Sequence, residues 1–150
     1  MKRARLSILL ALSCAACGAA TVPVTEPSEP EAEPPPRYAV ALRFEEGEPS
    51  PEGTPRTRVS LVRIAPGGER SVSELRVEDG ACYHRDEPGV LIAGVCWWAG
   101  SGARYVIRRE GESIIALRAE ATGDDTYGEL TELTRIDVPA EAALDLLGAR

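Results

Sequence analysis

The sequence predicts an all-β domain, mainly an antiparallel sandwich or small barrel, with a short C-terminal helix. Three observations carry this reading. Apolar residues recur with a period of two in several short runs, which marks strands with one buried face. Turn-forming residues separate those runs at regular spacing. Two cysteines, Cys82 and Cys96, fall opposite each other when the runs that hold them are folded back as a hairpin.

Taken in order, Tyr38, Val40, Leu42 and Phe44 alternate with Arg37, Ala39, Ala41 and Arg43 and form the first strand. Residues 47–55 (GEPSPEGTP) are rich in turn formers and read as a loop. Thr57 to Ala65 and Ser71 to Glu78 flank a Pro-Gly-Gly turn, which predicts a hairpin. The runs ACYHRD and VLIAGVCWW flank Glu87 to Gly89 as a second hairpin. Val90 to Trp98 is nearly all apolar and reads as a central strand covered on both faces. Ala103 to Arg109 and Glu112 to Glu120 flank Glu110-Gly111 as a third hairpin, Thr122 to Gly128 is a loop, and Leu133 to Val138 is a last strand. Pro139 then fits a first helical position, with Glu141 in the first turn, Ala143, Leu144 and Leu147 as an apolar face, and Gly148 as the stop.

The N-terminal part has a different character. Lys2, Arg3 and Arg5 precede an uncharged run, Leu6 to Ser13, and small residues surround Cys14 and Cys17. These are the three parts of a secretory signal, and the run is far shorter than the roughly 20 residues of a spanning helix. The segment resembles the signal peptides of bacterial lipoproteins, in which small residues precede a cysteine that becomes the lipid-modified N-terminus. Cys17, after Ala15-Ala16 and before Gly18, fits that pattern, with Cys14 as the alternative. The resemblance implies a signal peptide over residues 1–16, a membrane held through a lipid anchor, and a place in the cell envelope, at the periplasmic face or the cell surface. More than one acyl chain makes such attachment stable, because each buried methylene contributes about 0.8 kcal/mol.

Residues 17–36 read as a Pro/Glu-rich tether. Thr21 to Pro36 holds six prolines and four glutamates and almost no large apolar side chain, so it has too little surface to bury. Proline and like charges favour an extended chain, about 50 Å for 16 residues at ~3.1 Å each. Residues 37–150 then suit one domain. Cleavage before Cys17 removes three of the 17 basic residues and none of the 24 acidic ones, leaving a net charge of −10. That balance excludes nucleic acid bound through a general phosphate-neutralising surface.

Candidate chemistry is sparse. In an exported protein Cys82 and Cys96 are expected as a disulfide, contributing about 3 kcal/mol for a loop of this length. A zinc site from Cys82, His84 and Cys96 has suitable ligand types but lacks a fourth, so no metal and no cofactor is expected. Ser101, His84 and Asp86 supply the residue types of a serine hydrolase, yet the context AGSGA lacks the nucleophile-elbow glycine placement. Asp124-Asp125 lacks the regular calcium-loop spacing. The expectation is therefore a non-enzymatic protein. Adjacent Trp97 and Trp98 on a strand point to opposite faces, so one of them, with Tyr105 and Ser101 nearby, is a candidate platform for a protein or glycan partner. SGARY (Ser101 to Tyr105) resembles the S-G-x-x-Y stretch of bacterial lipoprotein inhibitors of c-type lysozyme, which are small β-barrels. That resemblance implies inhibition of a cationic enzyme, with Ser101 entering its cleft. The later lysine of that family has no counterpart here, since Lys2 is the only lysine.

Overall fold

Among the described residues ten strands build the domain: β1 (Arg37–Glu46), β2 (Arg56–Ile64), β3 (Arg70–Asp79), β4 (Ala81–Arg85), β5 (Ile92–Trp98), β6 (Ser101–Glu110), β7 (Ser113–Gly123), β8 (Thr126–Tyr127), β9 (Thr131–Asp137) and β10 (Ala143–Leu146). This is a computed structural model, which describes residues 33–148. The signal segment, Cys14, Cys17 and tether residues 17–32 lie outside the described residues.

Two sheets result. One has the order β10-β1-β2-β3, and the other runs β4-β5-β6-β7-β8, with β9 also paired to β7. Every pairing is antiparallel except that of β10 with β1. The three predicted hairpins, β2/β3, β4/β5 and β6/β7, all form. Their inner faces share one core in which Val40, Leu42, Val59 and Leu61 of the first sheet meet Ile92, Cys96, Tyr105, Ile107 and Ile114 of the second. A second, smaller cluster of Val106, Ile115 and Leu117 covers the outer face of β6 and β7, capped by Val90 and Leu130. It gives β6 and β7 buried apolar residues on both faces.

Two irregularities shape the core. The β2/β3 register shifts at Leu75, which has no partner on β2. Beyond this bulge the alternation of β3 changes phase, so Val77 is exposed while Glu78 turns inward. At Gly80 the chain leaves one sheet for the other. A Cβ there would stand 2.2 Å from the Trp97 carbonyl oxygen, and φ is +91°, so only glycine fits. The corner is pinned by Gly80 N–H donating to the Pro55 carbonyl (2.7 Å) and by Thr57 Oγ1 donating to the Gly80 carbonyl (2.7 Å).

The expected C-terminal helix is not formed, which corrects the sequence reading. Residues 140–141 make a turn and Ala143–Leu146 is strand β10. The reason lies in competing partners. The Arg109 guanidinium donates to the carbonyls of Pro139, Ala140 and Ala142 at 2.5 to 2.9 Å, occupying acceptors that helix amides would need. The open side of β1 offers Ala143 and Leu147 amides the carbonyls of Pro36 and Val40. A helix this short gains little by itself, so the sheet edge wins.

Candidate functional site

The β5/β6 hairpin holds the four residues the sequence singled out for binding, Trp97, Trp98, Ser101 and Tyr105. Its tip is a two-residue turn with positive φ at both Ala99 (47°) and Gly100 (85°), the pairing typical of a type I′ turn. Trp98 is 42% exposed beside it. Ser101 is exposed, and its Oγ donates to the Trp98 carbonyl (2.9 Å), which closes the turn. Trp97 is half-buried because its ring lies over Gly102, where a Cβ would meet ring carbon Cε3 at 2.3 Å.

Tyr105 does not join this surface. It is fully buried, and its hydroxyl donates to the Glu78 carboxylate, which also accepts from Arg118. Burial, reinforced by that carboxylate, pushes the phenol above the usual tyrosine range. Tyr105 is a core residue whose polar end meets a salt bridge between the two sheets. The platform read from the sequence thus reduces to Trp98, the edge of Trp97, and Ser101.

Nor does the hairpin tip reach His84. His84 pairs with Gly94, four residues along β5 from Trp98 and hence about 13 Å from the Ser101 end. The Ser101/His84/Asp86 arrangement is therefore not assembled. The sulfurs of Cys82 and Cys96 are joined to each other, so neither offers a thiolate to a metal.

A larger feature was not anticipated. Between β4 and the second half of β1 lies a groove of about 730 Å³. Leu42, Phe44 and Val62 form apolar surface within it, and Cys82, Tyr83 and His84 form one wall. Leu147 closes the end where β10 stops. Arg43 and Arg70 supply positive charge, and no carboxylate lines it among the described residues. The Phe44 and His84 rings meet at 4.9 Å between centroids, tilted 45°. His84 Nδ1 is shielded from solvent and has no hydrogen-bond partner among the described residues. Tyr83 is 57% exposed. A second hollow of about 470 Å³, bordered by Pro49, Pro55 and Gly80, shares Phe44 and Cys82 with the first.

The groove exists because β10 ends early and β4 is an edge strand. β10 pairs with β1 only from Arg37 to Val40, so among the described residues β1 has no neighbour on that side from Ala41 onward. Among the described residues β4 pairs with β5 alone and is the edge of its own sheet. Sequence offered two faint signals of the site: Gly94 inside an apolar strand, which marks a close approach, and an aromatic beside a half-cystine. Neither identifies Arg43 or Arg70. No family model, curated protein or solved structure matches this chain.

Proposed function

We propose that this chain is a non-enzymatic, lipid-anchored protein of the cell envelope whose β domain is a binding module for a protein or glycan. In this reading Cys17, or alternatively Cys14, carries the lipid and residues 17–36 hold the domain away from the bilayer. The observation that carries the binding role is the groove between β1 and β4. It is concave, apolar within, and fringed by a few polar groups, as ligand sites commonly are. The separation of His84 from Ser101 supports the non-enzymatic part.

The test uses the full chain, extracted in detergent, as bait in envelope extract. Three baits are compared: wild type, Tyr83→Ala with Arg70→Ala, and Trp97→Ala with Trp98→Ala. A partner lost from the groove variant and kept by the hairpin variant supports the groove. The opposite pattern moves the site to the hairpin tip, and identical behaviour of all three removes the binding reading. Incorporation of a fatty-acid analogue, abolished by Cys17→Ala, tests the anchor, and loss in Cys14→Ala instead selects the alternative.

One observation favours a second reading, inhibition of a cationic enzyme such as lysozyme. Ser101 and Trp98 stand exposed at one hairpin tip on an acidic chain, whose field would steer a basic target. Lysozyme inhibition lost on Ser101→Ala would promote it. Full lysozyme activity at saturating protein would end it.

A further inference from the structure

The groove is bounded by backbone as well as by side chains. In an antiparallel ladder, residue pairs alternate between those that exchange hydrogen bonds, with Cα atoms about 5.5 Å apart, and closer pairs that do not. Cys82 and Cys96 are 4.0 Å apart at Cα and therefore form a non-hydrogen-bonded pair. By alternation His84 and Gly94 form the next one. The N–H and C=O groups of Cys82 and His84 consequently point away from β5, toward the groove.

The opposite wall follows the same logic. Leu147 N–H donates to the Val40 carbonyl on the β10 side, while Gly47 N–H donates to Arg56 of β2 on the other. Residues of β1 alternate between those two sides, so Leu42 and Phe44 direct their peptide groups into the space left where β10 stops. Among the described residues, no backbone hydrogen bond fills these positions on Cys82, His84, Leu42 or Phe44. Two other edges are blunted by charge, and edge strand β10 (ALDL) is only four residues long. β3 and β9 carry charges along their length, whereas β4 (ACYHR) has a single charge at its end.

We propose that an extended acidic peptide segment of a partner adds as a strand to the open edge of β4, filling the groove between β4 and β1. This rests on the groove being the binding site and names its class of occupant. Backbone pairing with Cys82 and His84 supplies the attachment, and alternate side chains enter the apolar hollow beside Phe44. The preference for acidic residues comes from Arg43 and Arg70, which line the groove, whose lining among the described residues includes no carboxylate. Arg70 has no ion pair among those residues, and Arg43 only an exposed one to Glu45 at 3.6 Å. On a chain of net charge −7 this is a locally positive place, which favours acidic segments over basic ones.

The experiment uses the full chain in detergent with nitrogen-15 label and three synthetic probes. These are an acetylated, amidated Val-Glu alternating heptapeptide, the same peptide N-methylated at alternate residues, and a Val-Lys analogue. The first is expected to slow amide exchange at Cys82 and His84. The N-methylated probe should bind about tenfold or more weakly, the equivalent of one or two lost edge hydrogen bonds. Arg70→Glu should weaken the acidic probe and strengthen the Val-Lys one. Equal affinity for the N-methylated probe, protection confined to other strands, or no binding of the first peptide overturns the proposal. Protection of the same amides by self-association overturns it too, in favour of a second copy as occupant. The groove reading is judged separately, by whether the Tyr83→Ala, Arg70→Ala bait loses its partner.

Discussion

The ring of Phe44 occupies the space where a side chain of Gly94 would stand. A Cβ built on Gly94 would lie 2.4 Å from Phe44 Cζ and 3.1 Å from Leu42 Cδ2. The contact joins the two sheets, because Phe44 belongs to β1 and Gly94 to β5, next to the edge strand of the other sheet. It also fixes the Phe44 ring against His84 and so sets the position of the groove floor.

Gly94→Ala is therefore expected to destabilise the domain by about 1–3 kcal/mol, since the new methyl and the Phe44 ring contend for one space. Phe44→Leu alone costs buried area and leaves a cavity, about 1–3 kcal/mol. The double variant should lose clearly less than the sum, because the smaller side chain makes room for the new methyl. Urea unfolding of the four proteins measures the coupling. Strict additivity would mean that the two residues do not contend for one space.

Tyr105 links stability to alkaline pH. Its phenol is held protonated above the ordinary value near 10 by burial first and by the Glu78 carboxylate second. The folded state then binds a proton that the unfolded state has released, so the contribution is complete below about pH 10 and declines as pH rises past it. The decline for one such group is at most about 1.4 kcal/mol per pH unit. Tyr105→Phe should lose about 1–2 kcal/mol at pH 7 with its hydrogen bond, yet show a shallower fall between pH 10 and 11.5. Denaturant midpoints across that range decide it, and parallel curves for the two proteins would refute the linkage.

The strands were legible because their signals are local. The Pro-Gly-Gly turn, the Glu-Gly turn and the opposition of Cys82 to Cys96 depend on neighbours in sequence, and each appears in the structure. What escaped depends on distant partners. The apolar face at Ala143, Leu144 and Leu147 suits a helix until Arg109, some thirty residues earlier, takes the carbonyls of the turn. Tyr105 looked like surface because nothing in SGARY reveals Glu78, which itself turns inward only through the bulge at Leu75. The groove was invisible for the same reason. It is made where β10 stops and β4, among the described residues, has no outer neighbour, and strand order is not written in period-two alternation.

Replacing Cys82 and Cys96 by serine should lower stability by about 3 kcal/mol, the closure term for a loop of this size. The cross-strand pair joins edge strand β4 to β5, so the loss should concentrate there. Amide exchange in Ala81–Arg85 is expected to rise toward that of a free edge, while β6 and β7 follow only the global change. Reductant should reproduce the effect in the wild type and leave the double variant unmoved. A uniform increase across all strands would show that β4 opens only with the whole domain.

Arg109→Met tests the device that replaces the helix. The methionine keeps most of the apolar stem but removes the donors to Pro139, Ala140 and Ala142. Partial exposure of those bonds limits the expected cost to about 1–3 kcal/mol. The local effect should be sharper than the global one. With the turn released, β10 is held to β1 by few bonds, among them Ala143 N–H to Pro36 and Leu147 N–H to Val40. Exchange of those two amides should quicken by about tenfold or more, against little change at Ile107 and Ile114 in the core. Because Leu147 closes the groove, the same variant should also loosen any peptide bound along β4. Unaltered exchange at Ala143 and Leu147 would mean that β10 holds its place through the sheet edge alone, with Arg109 a bystander.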